Sequence, residues 1–413
     1  MHKLLILGSL LEFTSLVEKA KAMGYYTIVC DGYKDGPAKA VADKSYDIDV
    51  RDVESIVAMC KSENIDGIIT SFSDLLFEQA TKIAEAASLK WYISSDMLPY
   101  YRDKYVAKTL LRELGISVAK TFLIDKKNSD SIVQELTFPI VIKPLSGYGS
   151  HGIVVINDKF EFSNYIQTIS QDQLPLYAEE YIYGDEYNMQ TWVHDGEIKI
   201  ISIADREKNP QVGNKIPLIS RVVYPAKKID DVKQKALDIL KKFINSTGQT
   251  SGPLSMQFFN VDGTIYVCEI AGRFFGYEHK AIEFCSNLDL EKLLLLYPYE
   301  QDKIPHEFLN YSPDFPKYCS VMYLIGKYGE KIGDLSNIVE LLSDQRIPYY
   351  DVPYSSGMIT KNSGDLAHLA YLYLVSSTRN DLDSLNAEIF KNFKVYNDRG
   401  ENIACTYVLG PKI

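Results

Sequence analysis

The sequence predicts an α/β protein of several domains, with an open parallel sheet first and an α+β body after it. Three observations carry this. Short apolar strands alternate with helical stretches over the first hundred residues, which implies a parallel sheet with helices on its faces. From Ile116 the pattern changes to short alternating strands joined by tight turns. The chain has 413 residues, enough for two or three domains at roughly 100–200 residues each.

The elements follow in order. Residues 4–7 are apolar, and Gly8 and Glu12 interrupt the run. It is too short to cross a membrane, has no cleavage signature, and reads as a first buried strand. Helices are expected at 11–23, 53–62 and 75–87, with strands at 27–30 and 67–70. The turn after the first strand, Gly8-Ser9-Leu10-Leu11, is not G-x-G-x-x-G, so this unit reads as a scaffold or substrate shelf and not as a dinucleotide site. Residues 103–114 read as a helix ended by Gly115, with Val106, Leu110, Leu111 and Leu114 on one side. Strands are expected at 138–143, 152–156 and 176–181, with hairpins across Asp195-Gly196 and Asp262-Gly263. One amphipathic helix, 230–245, turns Val232, Ala236, Leu240, Phe243 and Ile244 one way. Pro305, Pro313 and Pro316 make 300–316 read as a linker to a last α/β unit.

Composition excludes several functions. There are 44 Lys plus Arg against 55 Asp plus Glu, a net charge of -11, and no basic tract, so neither nucleic acid nor an anionic membrane is an expected partner. The six Cys are scattered, without C-x-x-C or zinc spacing, and read as reduced thiols of a cytoplasmic protein. His151 and His194 have no ligand at metal spacing, and no Ser-His-Asp order suggests a hydrolase. The 30 Tyr are unusually many and are spread along the chain.

The sharpest local feature runs from Phe138 to Val155. A strand ends at Lys143, a loop with Ser146, Gly147, Gly149, Ser150 and Gly152 follows, and a β-branched strand begins. Glycines let backbone N–H groups cradle phosphate oxygens, while the lysine supplies a point charge. A Walker A loop would place its lysine at a helix entrance; here it precedes a loop between two strands, as in a phosphate-covering flap. Three further stations follow the same logic. Asp103-Lys104 opens the helix that ends in Gly115-Ile116-Ser117. Glu179-Glu180-Tyr181-Ile182-Tyr183-Gly184-Asp185-Glu186 lies downstream of the flap. Gln257 and then Cys268-Glu269-Ile270-Ala271-Gly272-Arg273 come last.

Four such stations in this order resemble the ATP-grasp superfamily, in particular its carboxylate–amine ligases and its carbamoyl-phosphate-synthetase-like branch. The resemblance covers about residues 1–300. It implies an N-terminal Rossmann-like domain at 1–98, an ATP-grasp domain at 99–300 with a flap subdomain at about 118–183, and a C-terminal α/β lid at 317–413. It also implies ATP and Mg2+ as cofactors, with Mn2+ able to substitute. Lys104 and Lys143 would meet the phosphates, with Lys108, one helical turn on, an alternative to Lys104. Ser146, Gly147, Gly149, Ser150 and Gly152 would cover them. The backbone of Tyr181 and Ile182 would read the adenine edge. Glu179 or Glu180 would meet the exocyclic amine, and only one can, because consecutive strand residues face opposite ways; Glu179 is favoured. Glu186 would accept from the ribose hydroxyls, Glu269 and Gln257 would hold metal, and Arg273 would hold an acyl phosphate.

Glu269 also stands out without the family, as an acid interrupting an apolar strand where an unpaired carboxylate is costly. A hairpin with an odd loop would place Gln257 opposite it, whereas a two-residue Asp262-Gly263 turn would place Met256 there. Ala271 stands where the family often has a metal-binding Asn, which leaves the number of metals open. Asp205-Arg206-Glu207-Lys208, Arg221, Tyr277, Glu278 and His279 are the remaining groups able to reach a substrate. The function implied is an ADP-forming ligase that activates a small carboxylate as an acyl phosphate and couples it to an amine. One alternative is the same fold acting on bicarbonate, and another is a non-catalytic ATP-binding module. Whether the chain forms a homodimer is left open.

Overall fold

The structure is a computed structural model and describes residues 1–125, 127–144, 153–170, 173–209, 217–335, 338, 341–361 and 366–405. Strands β1 (Lys3–Leu7), β2 (Tyr26–Cys30), β3 (Lys44–Tyr46) and β4 (Gly67–Ile69) form an all-parallel sheet in the order β3-β2-β1-β4. Its inner strands β1 and β2 and strand β4 are nearly continuous apolar runs because helices cover both faces, and Leu4 to Leu7 are fully buried. The helix Val53–Glu63 starts where the Asp52 side chain accepts from Ser55 N and ends at Asn64 in the left-handed region. The helix Asp74–Ala87 is capped by Ser73, which places Asp74 in its first turn. The short helix Pro37–Val41 and the strand β3, with its exposed residues, gave no apolar period to read.

A second sheet is antiparallel, β5 (Thr121–Ile124), β6 (Ile140–Pro144), β7 (Val154–Ile156) and β8 (Leu176–Glu180), in the order β5-β8-β6-β7. It has its own core, which includes Ile124, Ile140, Ile142 and Ala178. The helix Lys159–Thr168 lies in a stretch expected to be strand. It is set by Asp158, whose side chain accepts from Phe160 N and Glu161 N, and by the buried Phe162 and Ile166.

The third sheet has eight strands. In chain order these are β9 (Asp185–His194), β10 (Glu197–Lys208), β11 (Ile219–Tyr224), β12 (Gly252–Val261), β13 (Thr264–Ala271), β14 (Tyr318–Gly326), β16 (Tyr349–Asp351) and β17 (Ala367–Ser376). Their spatial order is β13-β12-β9-β10-β11-β14-β17-β16, antiparallel throughout. The remaining strands, β15 (Ile332–Asp334) and β18 (Tyr396–Asn397), form a two-stranded ribbon. The amphipathic helix Ile229–Thr247 buries Val232, Ala236, Leu240, Phe243 and Ile244, as its period required.

The division expected at 300–317 does not break this sheet, because β14 pairs with β11. The last unit is therefore built onto the central sheet, with its own apolar cluster around Met322, Leu369, Leu372 and Leu385. The proline-rich segment is not an open linker either. It carries short helices at Gln301–Lys303 and Ile304–Glu307, and buries Ile304 and Phe315.

Strand β13 is an edge strand, and both other units reach it. Val267 N donates to Ser117 O at 2.9 Å, joining the entry to the flap unit to the middle of the strand. Just past its end, Phe275 bridges to Phe72 of the N-terminal unit. Tethering from two sides fixes the direction in which Glu269 and Arg273 project.

Candidate active site

Between the flap sheet and β13 lies a cleft enclosing about 530 Å³ of space open to solvent, lined by Lys108, Lys143, Glu179, Glu180, Tyr181, Ile182 and Cys268 among others. Glu179 is its electrostatic centre. The side chain is buried, with Lys143 Nζ donating to Oε2 at 2.6 Å and Lys108 Nζ donating to Oε1. Burial alone would raise the Glu179 carboxyl, but the two ammonium groups outweigh it and hold it down to about 2. Lys143 is half-buried, and Glu179 keeps its ammonium above the usual lysine range despite the desolvation. Lys108 is pulled below the usual range, since burial and the like charge of Lys143 outweigh its share of Glu179. Two cations on one carboxylate leave a net positive, partly desolvated floor, suited to a polyanion.

Glu179 and Glu180 face opposite ways, as alternation requires; Glu179 is buried and Glu180 half-buried. Lys104 is exposed at the start of the helix Lys104–Glu113, so the structure brings Lys108 to the cleft instead. At the hinge, Tyr181 N already donates to Pro139 O at 3.0 Å. Among the described residues the Ile182 N–H has no backbone acceptor. Ser146, Gly147, Gly149, Ser150 and Gly152 lie outside the described residues.

Gln257 stands opposite Glu269. The hairpin nevertheless has the two-residue turn, with Val261 opposite Thr264 and positive φ at Asp262 (48°) and Gly263 (85°). That turn alone would set Met256 against Glu269. A bulge shifts the register between Gln257 and Phe258, because Cys268 is an unpaired extra residue, and Glu269 is returned to Gln257. Gln257 Nε2 donates to Glu186 Oε1 at 2.5 Å, so its carbonyl oxygen is left for another partner. Glu186 itself is buried, and Arg206 and Lys208 reach its two oxygens. Burial would raise it, but those cations keep it below the usual carboxylate range. Its contacts here are thus with protein cations and Gln257.

The Glu269 side chain is 43% exposed, and its nearest cation is Arg273 Nη2 at 3.8 Å. One open carboxylate beside an amide oxygen fits Mg2+, which takes few protein ligands and completes its shell with phosphate oxygens and water. Among the described residues no group of three or more His, Cys, Asp or Glu could hold a metal, and Ala271 is buried with nothing to donate. Arg273 is buried and forked onto Asp74, with Nε to Oδ1 at 2.6 Å and Nη2 to Oδ2 at 2.8 Å. Burial would raise Asp74, yet Arg273 and Arg102 bring its carboxyl below the usual range. Sequence reasoning missed Asp74. Its place in a first helical turn reads as ordinary capping, and nothing local marks a partner 199 residues away.

Glu278 is buried deeper in the same region, accepting from Asn188 Nδ2 at 2.7 Å and from the Tyr224 hydroxyl. Burial pushes its carboxyl up to about 7, more than these donors and the nearby arginines pull it down.

A lysine-floored cleft beneath an antiparallel flap, with a carboxylate-bearing edge strand opposite, defines a nucleotide-grasping domain of the α+β class. Residues 109–287 match the family model described as an ATP-grasp domain. The chain is 25% identical over 244 residues to the carbamoyl phosphate synthase large chain of Clostridium perfringens, an alignment covering 57% of this chain and 22% of that one. It thus spans about a fifth of the length of that relative. Among solved structures, the L-amino acid ligase from Bacillus licheniformis has the same fold over 96% of this chain and 99% of its own, at 16% identity and a TM-score of 0.79. N5-carboxyaminoimidazole ribonucleotide synthetase from Thermotoga maritima covers the same shares at 21% identity and a TM-score of 0.73. Among the described residues no helix is long and apolar enough to cross a membrane.

Proposed function

We propose that the chain is an ADP-forming ligase that activates a small carboxylate with ATP and joins it to an amine. The observation that carries this reading is a Lys108–Glu179–Lys143 floor with a Glu269–Gln257 pair on the adjoining β12–β13 hairpin, close enough for the Glu269 charge to act on Lys143. The lysines neutralise phosphate charge, and Glu179 holds both in place. The Ile182 N–H, not that of Tyr181, reads the adenine edge, because the Tyr181 donor is engaged by Pro139. Glu269 and the Gln257 carbonyl would hold Mg2+, or Mn2+ in its place, which when bound offsets the charge of the transferring phosphoryl group.

A substrate carboxylate oxygen attacks the γ-phosphorus and ADP leaves. The amine then attacks the carbonyl carbon, the C–O bond to phosphate breaks, and the nitrogen loses a proton. Positioning and charge neutralisation suffice for both steps, which accounts for the lack of a nucleophile motif. Arg273, aimed by Asp74, lies where it can hold the acyl phosphate. Six cysteines without a disulfide suit a cytoplasmic setting.

Support also comes from the near full-length match to an L-amino acid ligase. The curated carbamoyl phosphate synthase relatives favour a second reading, in which bicarbonate is the carboxylate. Phosphate release measured with pooled amino acids, small carboxylates and bicarbonate, each with and without an amine, tests both. Release dependent on carboxylate and amine is expected. Bicarbonate-dependent release would select the second reading, and formation of AMP would refute an acyl phosphate.

A further inference from the structure

The charged run Asp205-Arg206-Glu207-Lys208 at the end of β10, together with Arg221 on β11, divides between the two faces of the central sheet. Arg206 and Lys208 point to the nucleotide side. Both meet Glu186 there, and Lys208 Nζ lies 5.2 Å from the centre of the Phe259 ring, which lines the cleft. Asp205, Glu207 and Arg221 lie on the back of the sheet, against the helix Arg379–Asn392 of the C-terminal unit, so Arg221 does not reach a substrate. Arg379 places all three of its nitrogens on carboxylates: Nη1 donates to Asp205 at 2.7 Å, Nη2 to Glu207 at 2.7 Å and Nε to Asp383 at 3.1 Å. Arg221, fully buried, forks onto Glu207 at 2.9 and 3.1 Å and meets Asp383 at 2.7 Å.

The end of β10 needs such a hold. The strand pairs with β9 only as far as Asp205, opposite Tyr187, so residues 206–208 pair with β11 alone. The ladder to β11 is bulged at that point. Glu207 stands opposite Arg221 and Lys208 opposite Ile219, with Ser220 the extra residue, its hydroxyl donating to Glu207 O at 3.1 Å. A segment paired on one edge, across a bulge, opens more readily than the doubly paired strand before it. Arg379, for its part, stands against local preference. It is the first residue of its helix, where the macrodipole disfavours a cation, and Thr378 already caps that end by accepting from Asp381 N at 3.1 Å. The three carboxylates it grips offset that cost.

We propose that Arg379 and Arg221 are positioning residues of the active site: by holding Asp205 and Glu207 from behind the sheet, they fix Arg206 and Lys208 against Glu186 on its front. Side chains alternate along a strand, so anchoring two residues of one face sets the direction of those between and beyond them. Arg206 and Lys208 in turn hold the Glu186 carboxylate, whose Oε1 accepts from Gln257 Nε2 at 2.5 Å. The C-terminal unit thus acts on the Gln257–Glu269 end of the cleft through β10 and Glu186, without touching a ligand. That these groups serve a nucleotide and its metal rests on the ligase reading; the hold on β10 does not.

Amide hydrogen exchange of the full chain, followed by mass spectrometry well below its melting temperature, tests the hold directly. Arg379→Ala should speed exchange in the segment 205–209 by about tenfold or more, while β14 and β17 exchange as in the wild type. Arg379→Lys keeps the charge but cannot fork onto Asp205 and Glu207; it should give a smaller rise, and it keeps the test open if Arg379→Ala fails to fold. Arg379→Ala should also raise the MgADP Kd by about tenfold or more, and methylguanidinium, but not methylammonium, should restore part of that loss. Arg399→Ala, which removes an exposed pair with Glu330 and Glu401 in the same unit, should leave both readouts at wild-type values. Unchanged exchange at 205–209 in both Arg379 variants would overturn the proposal. So would a rise spread equally over β14 and β17, or wild-type MgADP affinity in a variant whose segment 205–209 has opened. A wild-type chain that binds no MgADP would sink the ligase reading, while the exchange data still decide the hold on β10.

Discussion

Gln257 faces Glu269 only because Cys268 is an extra residue in β13. The two-residue turn sets the first four pairs of the hairpin in one register, and the bulge corrects it one step before Glu269. Without the bulge Glu269 would sit on the face of Met256, which is fully buried, at the cost of an unpaired carboxylate. A bulge that re-aims one acid toward a cleft is the usual use of such an irregularity beside a site.

This pair predicts a metal phenotype. Glu269→Gln should abolish ADP formation, and Gln257→Met should raise the Mg2+ concentration for half-maximal MgADP binding by about tenfold or more. Thermal melts should show both variants folded, since Glu269 is exposed enough to lose its charge without strain. Wild-type Mg2+ dependence in Glu269→Gln would remove it from the metal site.

Glu179 predicts a stability phenotype. Removing its charge strands the buried Lys108 and half-buried Lys143 ammonium groups side by side, so Glu179→Gln should destabilise by about 3 kcal/mol in urea unfolding. Adding Lys108→Met should restore part of that loss, and Lys143→Ala alone should abolish ADP formation. Because the folded carboxyl is held near 2, its contribution is present above the ordinary value of 4.5 and is lost as pH falls through about 2. Equal stability of Glu179→Gln and wild type at pH 7 would sink this account.

Much of the frame was legible because burial writes a period into the chain. The run Leu4 to Leu7 and the helix Ile229–Thr247 are where their apolar spacing puts them. Alternation alone told that Glu179 and Glu180 could not share a face. What was not legible depends on long-range geometry. Lys104 and Lys108 differ by one helical turn, and only the docking of that helix against β8 decides which ammonium faces Glu179. The prolines between 300 and 316 suggested a break, but they cannot report that β14 pairs with β11. The tyrosines looked evenly scattered, yet folding gathers Tyr277, Tyr349, Tyr371 and Tyr373 from two distant segments into one wall.

Asp74 joins the N-terminal unit to the chemistry. Its two bonds to Arg273 fix the direction of a guanidinium that, on the proposed reading, would hold the acyl phosphate. Asp74→Asn should lower kcat by about 10²-fold, the scale expected when a reacting group is misplaced by an ångström, while the MgADP Kd changes little. A loss confined to MgADP affinity would show that Asp74 supports the nucleotide and not the transferring group.

Glu278 predicts a pH dependence whose sign follows from its burial. Its folded carboxyl titrates near 7, above the 4.5 of an unperturbed glutamate, so the folded state holds a proton that the unfolded state releases. The stability this confers is complete below about 4.5 and is lost as pH rises through about 7. A rise of this size corresponds to roughly 3 kcal/mol, an order-of-magnitude figure. Glu12, also raised to about 7, acts in the same window, so removing Glu278 should reduce the slope without flattening it. Glu278→Gln keeps a carbonyl for the Asn188 amide and cannot ionise, which removes the cost of burying a charge at high pH. Melting temperatures measured from pH 5 to pH 8 should fall in the wild type and fall less in Glu278→Gln, with the variant gaining on the wild type toward pH 8. Parallel curves would mean that Glu278 stays charged across the range, held by Arg206 and the Tyr224 hydroxyl more firmly than its burial implies.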